Sequence, residues 1–409
     1  MEQDAKIDGK DPGPYPMRRG SNQSGMRAYN ERLVLTMIRQ SGSMAKAEIA
    51  RQTGLSAQTV SVIIRALEAD GLLTRGKPVR GKIGQPSIPM RLAEDGAYFF
   101  GLKVGRRSLD LVLTDFLGNV LYRVRTNHAY PTPDNTLTFA SDGIAEIQVK
   151  LSAHQKSRIA GLGIALPFQL WEWAETLDVA DAAMDGWKDR DIAAELAATW
   201  NFPVFVCNDA STACGAELVF GDQNRPQDFL YLYIGFFVGG GLVLDNTLYT
   251  GRTGNGAAFG SMIVQAADGS MHQLVDLASL ATLEDALVTR DQQNAMIWDM
   301  PDSWDVPEAT LKIWVTSAAP AIAQAVMSSV CLIDVSHVLI DGWMPEKMRA
   351  MLVCQVRHEI ASMSAAGVQK PEVVEGSIGR DARALGAASL PLSNRFLVDR
   401  NTYQNGAGK

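Results

Sequence analysis

Between residues 26 and 92 apolar positions first recur at helical spacing and then fall into short alternating runs, a change of period that predicts helices followed by a small β-wing. Leu33, Val34, Met37 and Ile38 mark one face of a first helix over Met26 to Ile38. The segment AEIARQTGLSAQTVSVIIRALEADGLL then sets Ala50, Gly54 and Val60 at the spacing of a helix-turn-helix. A small residue lets the second helix approach, a glycine takes the positive-φ turn, and an apolar residue anchors the next helix. Ser56 stands where an N-cap belongs, and Leu67 and Gly71 close the element. Leu72 to Leu92 reads as the wing, with RGKPVRGKIGQP at its tip. A helical hairpin of unrelated purpose is the competing reading.

Past the wing the pattern shortens. AYFFGLKVGRRSLDLVLTDFLGNVLYRVRT places apolar runs between turn residues Gly105, Asp115, Gly118 and Asn119, which predicts three antiparallel strands joined by hairpins. A similar phrase returns as DFLYLYIGFFVGGGLVLDNTLYTGRTGNG. Two such units, each followed by helices and strands, predict a two-lobed mixed α/β body with a cleft between the lobes. A single Gly-rich meander is the blander alternative. Helices are expected over DNTLTFASDGIAEIQVKLSAH, PAIAQAVMSSVCLID, EKMRAMLVCQVRHEIASMS and GRDARALGAASLPL, a buried strand ending in a Pro turn over IAGLGIALPF, a strand running into Gly over HVLIDG, and helix, strand, turn and helix in succession over DIAAELAATWNFPVFVCNDASTACGAELVFG.

Charge divides the chain in the same way. Residues 17–91 hold 13 Lys and Arg against 4 Asp and Glu, whereas the whole chain of 409 residues is net −7. A basic head on an acidic body suits a protein that neutralises DNA phosphates and releases their counterions. The length exceeds what one core usually organises. Four scattered cysteines show no CxxC spacing, so neither a disulfide framework nor a zinc site is implied. The polar, Pro/Gly-rich N-terminus is unlike a signal peptide, and no run of about 18 apolar residues occurs, so a cytoplasmic protein without membrane partners is expected. The expected organisation is a disordered tail at 1–25, a winged helix-turn-helix at 26–92 and a two-lobed body at 93–409.

The head, the GLGIALP strand, FPVFVCNDASTACGAE, YIGFFVGGGLVLDNTLYTGRTGNGAAFGSM and HVLIDG together resemble the ROK family, over the chain from about residue 26. Its members are sugar-responsive repressors and sugar kinases built on an actin-like ATPase fold, and a winged helix-turn-helix in front of that body is the arrangement of its repressors. The resemblance also locates departures from the kinases. Their first phosphate loop reads Asp-x-Gly-Gly-Thr, the acid organising Mg²⁺; here the stretch is Lys103-Val104-Gly105-Arg106-Arg107-Ser108, a cation replacing the acid. Their second loop carries Gly-Thr-Gly; here Phe236 and Phe237 follow Gly235. Both changes argue against ATP in the usual pose, and no cofactor or catalytic residue is assigned.

The resemblance implies sugar contacts at Asn208 and Asp209, with Gly254 and Asn255 in the loop that follows the second meander. An Asp209 that caps the next helix is an alternative, compatible with the first role. The family's sugar-binding Glu and His correspond to Ala258 and Ser261, and its zinc-binding cysteine run is absent, so no metal is expected. Losing buried hydroxyl partners costs about 1–3 kcal/mol each, which weakens affinity for ordinary hexoses unless other groups replace them. Gln169, Trp171, Glu172 and Trp173 are candidates, a Trp offering a flat face to a sugar ring; a surface or dimer role for the tryptophans stands beside that. Lys103, Arg106 and Arg107 are candidates for an effector phosphate or carboxylate, or form a solvated turn.

For DNA, Val60, Ile63 and Leu67 should face inward, leaving Ser56, Ala57, Gln58, Thr59, Ser61, Ile64 and Arg65 outward. Gln58 is the base-reading candidate, with adenine its favoured partner. Arg65 and the wing residues Lys77, Arg80, Lys82 and Gln85 are backbone or minor-groove candidates. The expectation is a DNA-binding regulator, a repressor of carbohydrate genes, acting as a homodimer or homotetramer on an operator, its degenerate body sensing a small carbohydrate or derivative. The alternatives are a sugar kinase with a fused head and a regulator that answers to a protein partner.

Overall fold

The first helix, α1 (Gln23–Ser41), buries Val34, Leu35 and Ile38 against α2 (Lys46–Thr53) and α3 (Ala57–Ala69). The computed structural model describes residues 23–78, 87–173, 184–223, 225–288, 296–299 and 302–398. Gly54 ends α2 at φ +71° and returns its N–H to the Ala50 carbonyl, which makes the sharp turn that a side chain would strain. Ser56 caps α3 by accepting the Thr59 N–H at 3.1 Å. One expectation fails: Ile64 is fully buried. It lies one turn after Val60, on the same stripe, and Val62 is the apolar residue left 45% exposed. Strands β1 (Met44–Ala45), β2 (Leu73–Arg75) and β3 (Pro89–Leu92) form the wing sheet in the order β1-β3-β2.

The body holds two sheets of one design. In the first lobe β4 (Tyr98–Val104), β5 (Ser108–Thr114) and β6 (Val120–Asn127) run antiparallel, and β7 (Ile159–Ala165) and β8 (Val204–Cys207) add parallel strands, giving the order β6-β5-β4-β7-β8. The second lobe repeats it. There β9 (Phe229–Ile234), β10 (Val238–Leu244) and β11 (Thr247–Leu248) form the meander. A separate pair, β12 (Ile263–Gln265) and β13 (Met271–Gln273), lies outside it, and β14 (His337–Gly342) and β15 (Glu372–Glu375) complete the order β11-β10-β9-β14-β15. The repeated phrase in the sequence therefore marks a repeated sheet. Strand β15 escapes a sequence reading because its four residues, EVVE, end in charges and pair only at an edge.

Two helices join the lobes. The helix Asp209–Phe220 lies on β10, where Gly239 and Gly241 leave room: a Cβ on Gly241 would come within 2.3 Å of the Cys214 Cβ. The C-terminal helix Ala382–Phe396 lies on β4 and β7, and a Cβ on Gly163 would stand 1.8 Å from the Ala387 carbonyl oxygen. The two helices meet where Gly386 abuts the Thr212 carbonyl. The helix Glu308–Ile333 starts a full three turns before the stretch expected from Pro320, which it runs straight through. By length and hydropathy it would cross a bilayer, yet Trp314, Val315, Ile322, Val326 and Val330 are buried in the core of the second lobe.

Head and body share a core. Val34, Leu35, Ile38 and Met44 belong to one apolar cluster with Phe99, Phe116, Ala388, Leu392 and Phe396. Around it, half-buried Arg39 donates to the Phe116 carbonyl at 2.5 Å and stacks over the Phe116 and Phe220 rings at 5.2 and 5.7 Å. Arg158 clamps the turn after α3 by donating to the carbonyls of Asp70 and Gly96. Burial pulls the Arg39 guanidinium down to about 10, a fall that the Asp115 carboxylate partly offsets.

Candidate DNA-reading surface and effector cleft

The amphipathic turn of α3 decides which residues are free to meet a ligand. Ala57, Gln58 and Arg65 are exposed, Thr59 and Ser61 half-exposed, while Val60, Ile63 and Leu67 are buried as expected. Two of the hydroxyl candidates are already occupied, since Ser56 Oγ and Thr59 Oγ1 share a hydrogen bond of 2.8 Å. Arg65 donates back to the Ser61 carbonyl at 3.2 Å, leaving its other nitrogens to solvent. Gln58 thus stands out as the long polar side chain near the helix start. Lys77 is exposed at the end of β2; Arg80, Lys82 and Gln85 lie outside the described residues.

Between the lobes the hairpin turns β4–β5 and β9–β10 face each other. Phe236 is buried and packs edge-on to Phe237 at 4.7 Å, and the Arg106 and Arg107 guanidiniums sit over its ring at 4.8 and 5.7 Å. Arg107 also pairs with Glu284 at 2.5 Å. This turn is therefore half-buried, in place of the solvated alternative. Lys103, only 6% exposed, donates to Ser108 Oγ at 2.9 Å and lies 5.4 Å from the Trp343 ring. Burial pushes its ammonium down to about 7, with Arg383 adding to the fall.

The effector candidates do not converge on one place. Asn208, not Asp209, caps the helix Asp209–Phe220, its Oδ1 accepting the Ala210 and Ser211 N–H groups at 3.0 and 3.2 Å. Asp209 points instead at Arg383, Oδ2 to Nη1 3.1 Å, which ties it to the cleft. Gly254, at φ +84°, lines a different groove of about 520 Å³ with Phe168, Cys207 and the α1 residues Thr36, Arg39 and Gln40, and Asn255 is exposed nearby. Trp171 packs half-buried on the first lobe's core. Its segment, Leu170–Trp173, is a 3₁₀ turn and not an extended strand. The Glu172 side chain lies outside the described residues.

Sequence reasoning missed Arg125, His128, Glu284, Trp343 and Arg383, which complete the lining of the cleft with Lys103. Only Arg125 left a trace, alternating with Arg123 on β6 so that both point to one face; Arg123 pairs with Asp381 at 2.9 Å.

The model of the ROK family matches residues 99–394, and that of a winged helix-turn-helix DNA-binding domain matches residues 27–74. The chain belongs to the ROK family. Among its relatives, an uncharacterized protein of Sinorhizobium fredii is 25% identical over 91% of this chain and 92% of its own. The xylose repressor of Caldicellulosiruptor bescii is 23% identical over 60% of this chain, a match that spans 61% of that repressor. A solved ROK transcriptional regulator, a homolog of the E. coli MLC protein, superposes with a TM-score of 0.66 at 20% identity, covering 90% of this chain and 96% of that one. That likeness establishes the head-plus-body fold.

Proposed function

We propose that this ROK protein is a DNA-binding transcription regulator, a repressor of carbohydrate-related genes, whose body has given up phosphoryl transfer and serves as the sensor. The observation that carries the reading is the head itself: a helix-turn-helix with Gln58 exposed on a basic surface, fused by one apolar core to the body. Gln58 reads a base edge, while Ser61, Arg65 and Lys77 touch phosphates and, with Arg80, Lys82 and Gln85 of the wing tip, set the register on the duplex. Ser56, Ala57 and Thr59 approach the backbone at the helix start. A homodimer places two heads on two half-sites. Chemistry on ATP is disfavoured because a buried lysine occupies the position of the acid that would organise Mg²⁺, and Phe236 fills the space its phosphates would need. The names of its relatives, repressors and a regulator, point the same way and to a sugar or sugar derivative as effector.

A lever between cleft and head is at hand. The C-terminal helix carries Arg383 in its first turn beside Asp209 and Phe396 in its last beneath the head, about 20 Å away at 1.5 Å per residue. Lobe movement is thereby delivered to α1, whose Thr36 Oγ1 accepts the Val398 N–H at 3.0 Å. The test is selection of duplexes from a random library by the full-length protein, followed by titration of the winner at several salt concentrations. A specific site with a dissociation constant near or below about 10⁻⁸ M and a steep salt slope is expected; recovery of no preferred duplex would overturn the reading.

A further inference from the structure

The cleft contains an excess of positive charge that the regulator reading does not use. Lys103, Arg106, Arg107, Arg125 and Arg383 line a cavity of about 230 Å³ together with His128, Phe236, Trp298 and Trp343, and the only carboxylate among its described lining residues is Glu284. Glu284 is already engaged by Arg107 and by the Trp298 indole N–H at 3.2 Å. Lys103 makes no salt bridge among the described residues, although Asp110, opposite it on β5, and Asp209 act on it from farther off. The Nε atoms of Arg106, Arg107 and Arg383 are buried without a hydrogen-bond acceptor, and Arg383 as a whole is 9% exposed. Buried donors of one sign, left unpaired around a void, are a preformed receptor for an acceptor of the other sign.

We propose that this cavity binds a small organic anion, presenting a phosphate monoester or a carboxylate to Lys103, Arg125 and Arg383 and a short carbon skeleton to the aromatic part of the lining, Phe236 and Trp343. The size fits, since the void is smaller than the roughly 300–1,000 Å³ of pockets that take drug-sized ligands. No hydroxyl-reading Glu or His is required, because charge-assisted bonds supply the affinity that Ala258 and Ser261 cannot. The proposal deepens the sensor reading and rests on it only for the consequence at DNA. Arg383 opens the C-terminal helix, so an anion that draws it away from Asp209 pulls on the element that ends beneath the head.

The site carries its own proton signature. Lys103 is faced by Arg383, Arg125, Asp110, Asp209 and His128; burial, Arg383 and Arg125 lower it to about 7, and burial also holds His128 below its usual value. A bound anion stabilises the ammonium, so binding near pH 7–8 takes up a proton and weakens as the pH rises.

Calorimetric titration of the full-length protein with sulfate, inorganic phosphate, glucose 6-phosphate, glucuronate and neutral glucose tests this. At least one anion is expected to bind saturably below about 10 mM while glucose gives no signal. Lys103→Met should weaken that anion by about tenfold or more. Arg125→Gln, on the exposed side of β6 and so safe for folding, should weaken it by about threefold to tenfold. Sulfate does not titrate between pH 7 and 9, so its affinity should fall by up to about tenfold per pH unit in the parent and stay level in Lys103→Met. Tighter binding of glucose 6-phosphate than of glucuronate assigns the phosphate, and the reverse order the carboxylate. Equal affinity in parent and both variants, or no saturable anion, would overturn the proposal. Duplex binding measured on the same samples separates the outcomes: a protein that grips DNA but ignores every anion loses this site and keeps its place as a regulator.

Discussion

The two lobes share a strand order and differ at the tips of their first hairpins. In the first lobe the β4–β5 turn is cationic, with Lys103, Arg106 and Arg107; in the second the β9–β10 turn is aromatic, with Phe236 and Phe237. The two tips close on each other as guanidinium over ring. The scaffold is held by features that cannot vary cheaply, such as glycines under helices, whereas the tips depend only on side chains and are open to change. A change of chemistry at the tips and retention of the fold are thus separable in this scaffold.

The sharpest break in the comparison is expected at the glycines. Gly163→Ala puts a methyl 1.8 Å from the Ala387 carbonyl, against backbone that cannot rotate away. Its cost should exceed the ~1–3 kcal/mol typical of overpacked side chains, read as a fall in the urea midpoint or as failure to fold. A stability indistinguishable from the parent would show that the C-terminal helix does not lie directly on β7. Second in size is the ionic heart of the other lobe. There buried Asp341 accepts from Arg349 at 3.0 Å, from the Gly379 N–H at 2.7 Å and from the Tyr231 hydroxyl at 3.1 Å. Asp341→Ala strands the arginine and should cost about 3–5 kcal/mol by denaturation, a loss that a mere surface pair would not produce.

At the tips the effects should be smaller and of another kind. Gln58→Ala, far from both lobes, should relax discrimination at one base position by about 1–3 kcal/mol. Lys77→Ala should instead lower affinity for every duplex and reduce the salt slope by about 1. Identical effects of the two on a panel of duplexes would move the reading surface elsewhere. Smallest is the titration of Lys103. Its folded value, about 7, lies below that of an unfolded lysine, so the unfolded chain binds more protons between about pH 7 and 10 and stability rises with pH there, by at most about 1.4 kcal/mol per unit. Lys103→Met should remove that part of the slope; an unchanged slope would mean that the ammonium is hydrated and not buried.

Much of the fold could be read before any coordinates because its signals are local. Gly54 and Ser56 announce the turn and cap within four residues, and the two meanders announce themselves through alternation and Gly-Asn or Asp-Asn turns. Errors came where a local rule met a tertiary one. Helical spacing alone leaves Ile64 among the outward positions, whereas in the packed head it joins the buried stripe of Val60. The alternation of Trp171 and Trp173 along the sequence suits an extended segment, and the chain makes a 3₁₀ turn there.

The residues of the chain fixed its periods, its turns and the replacement of an acid by Lys103. Which cations would surround that lysine took both local and distant pairing: Arg125, 22 positions away, arrives through the β4–β5–β6 meander, whereas Arg383, about 280 away, comes only with the return of the C-terminal helix. The same return builds the core that joins head to body. Local propensity extends over a turn or two, whereas burial and electrostatics act on whatever the backbone brings within a few ångströms, regardless of the distance along the chain.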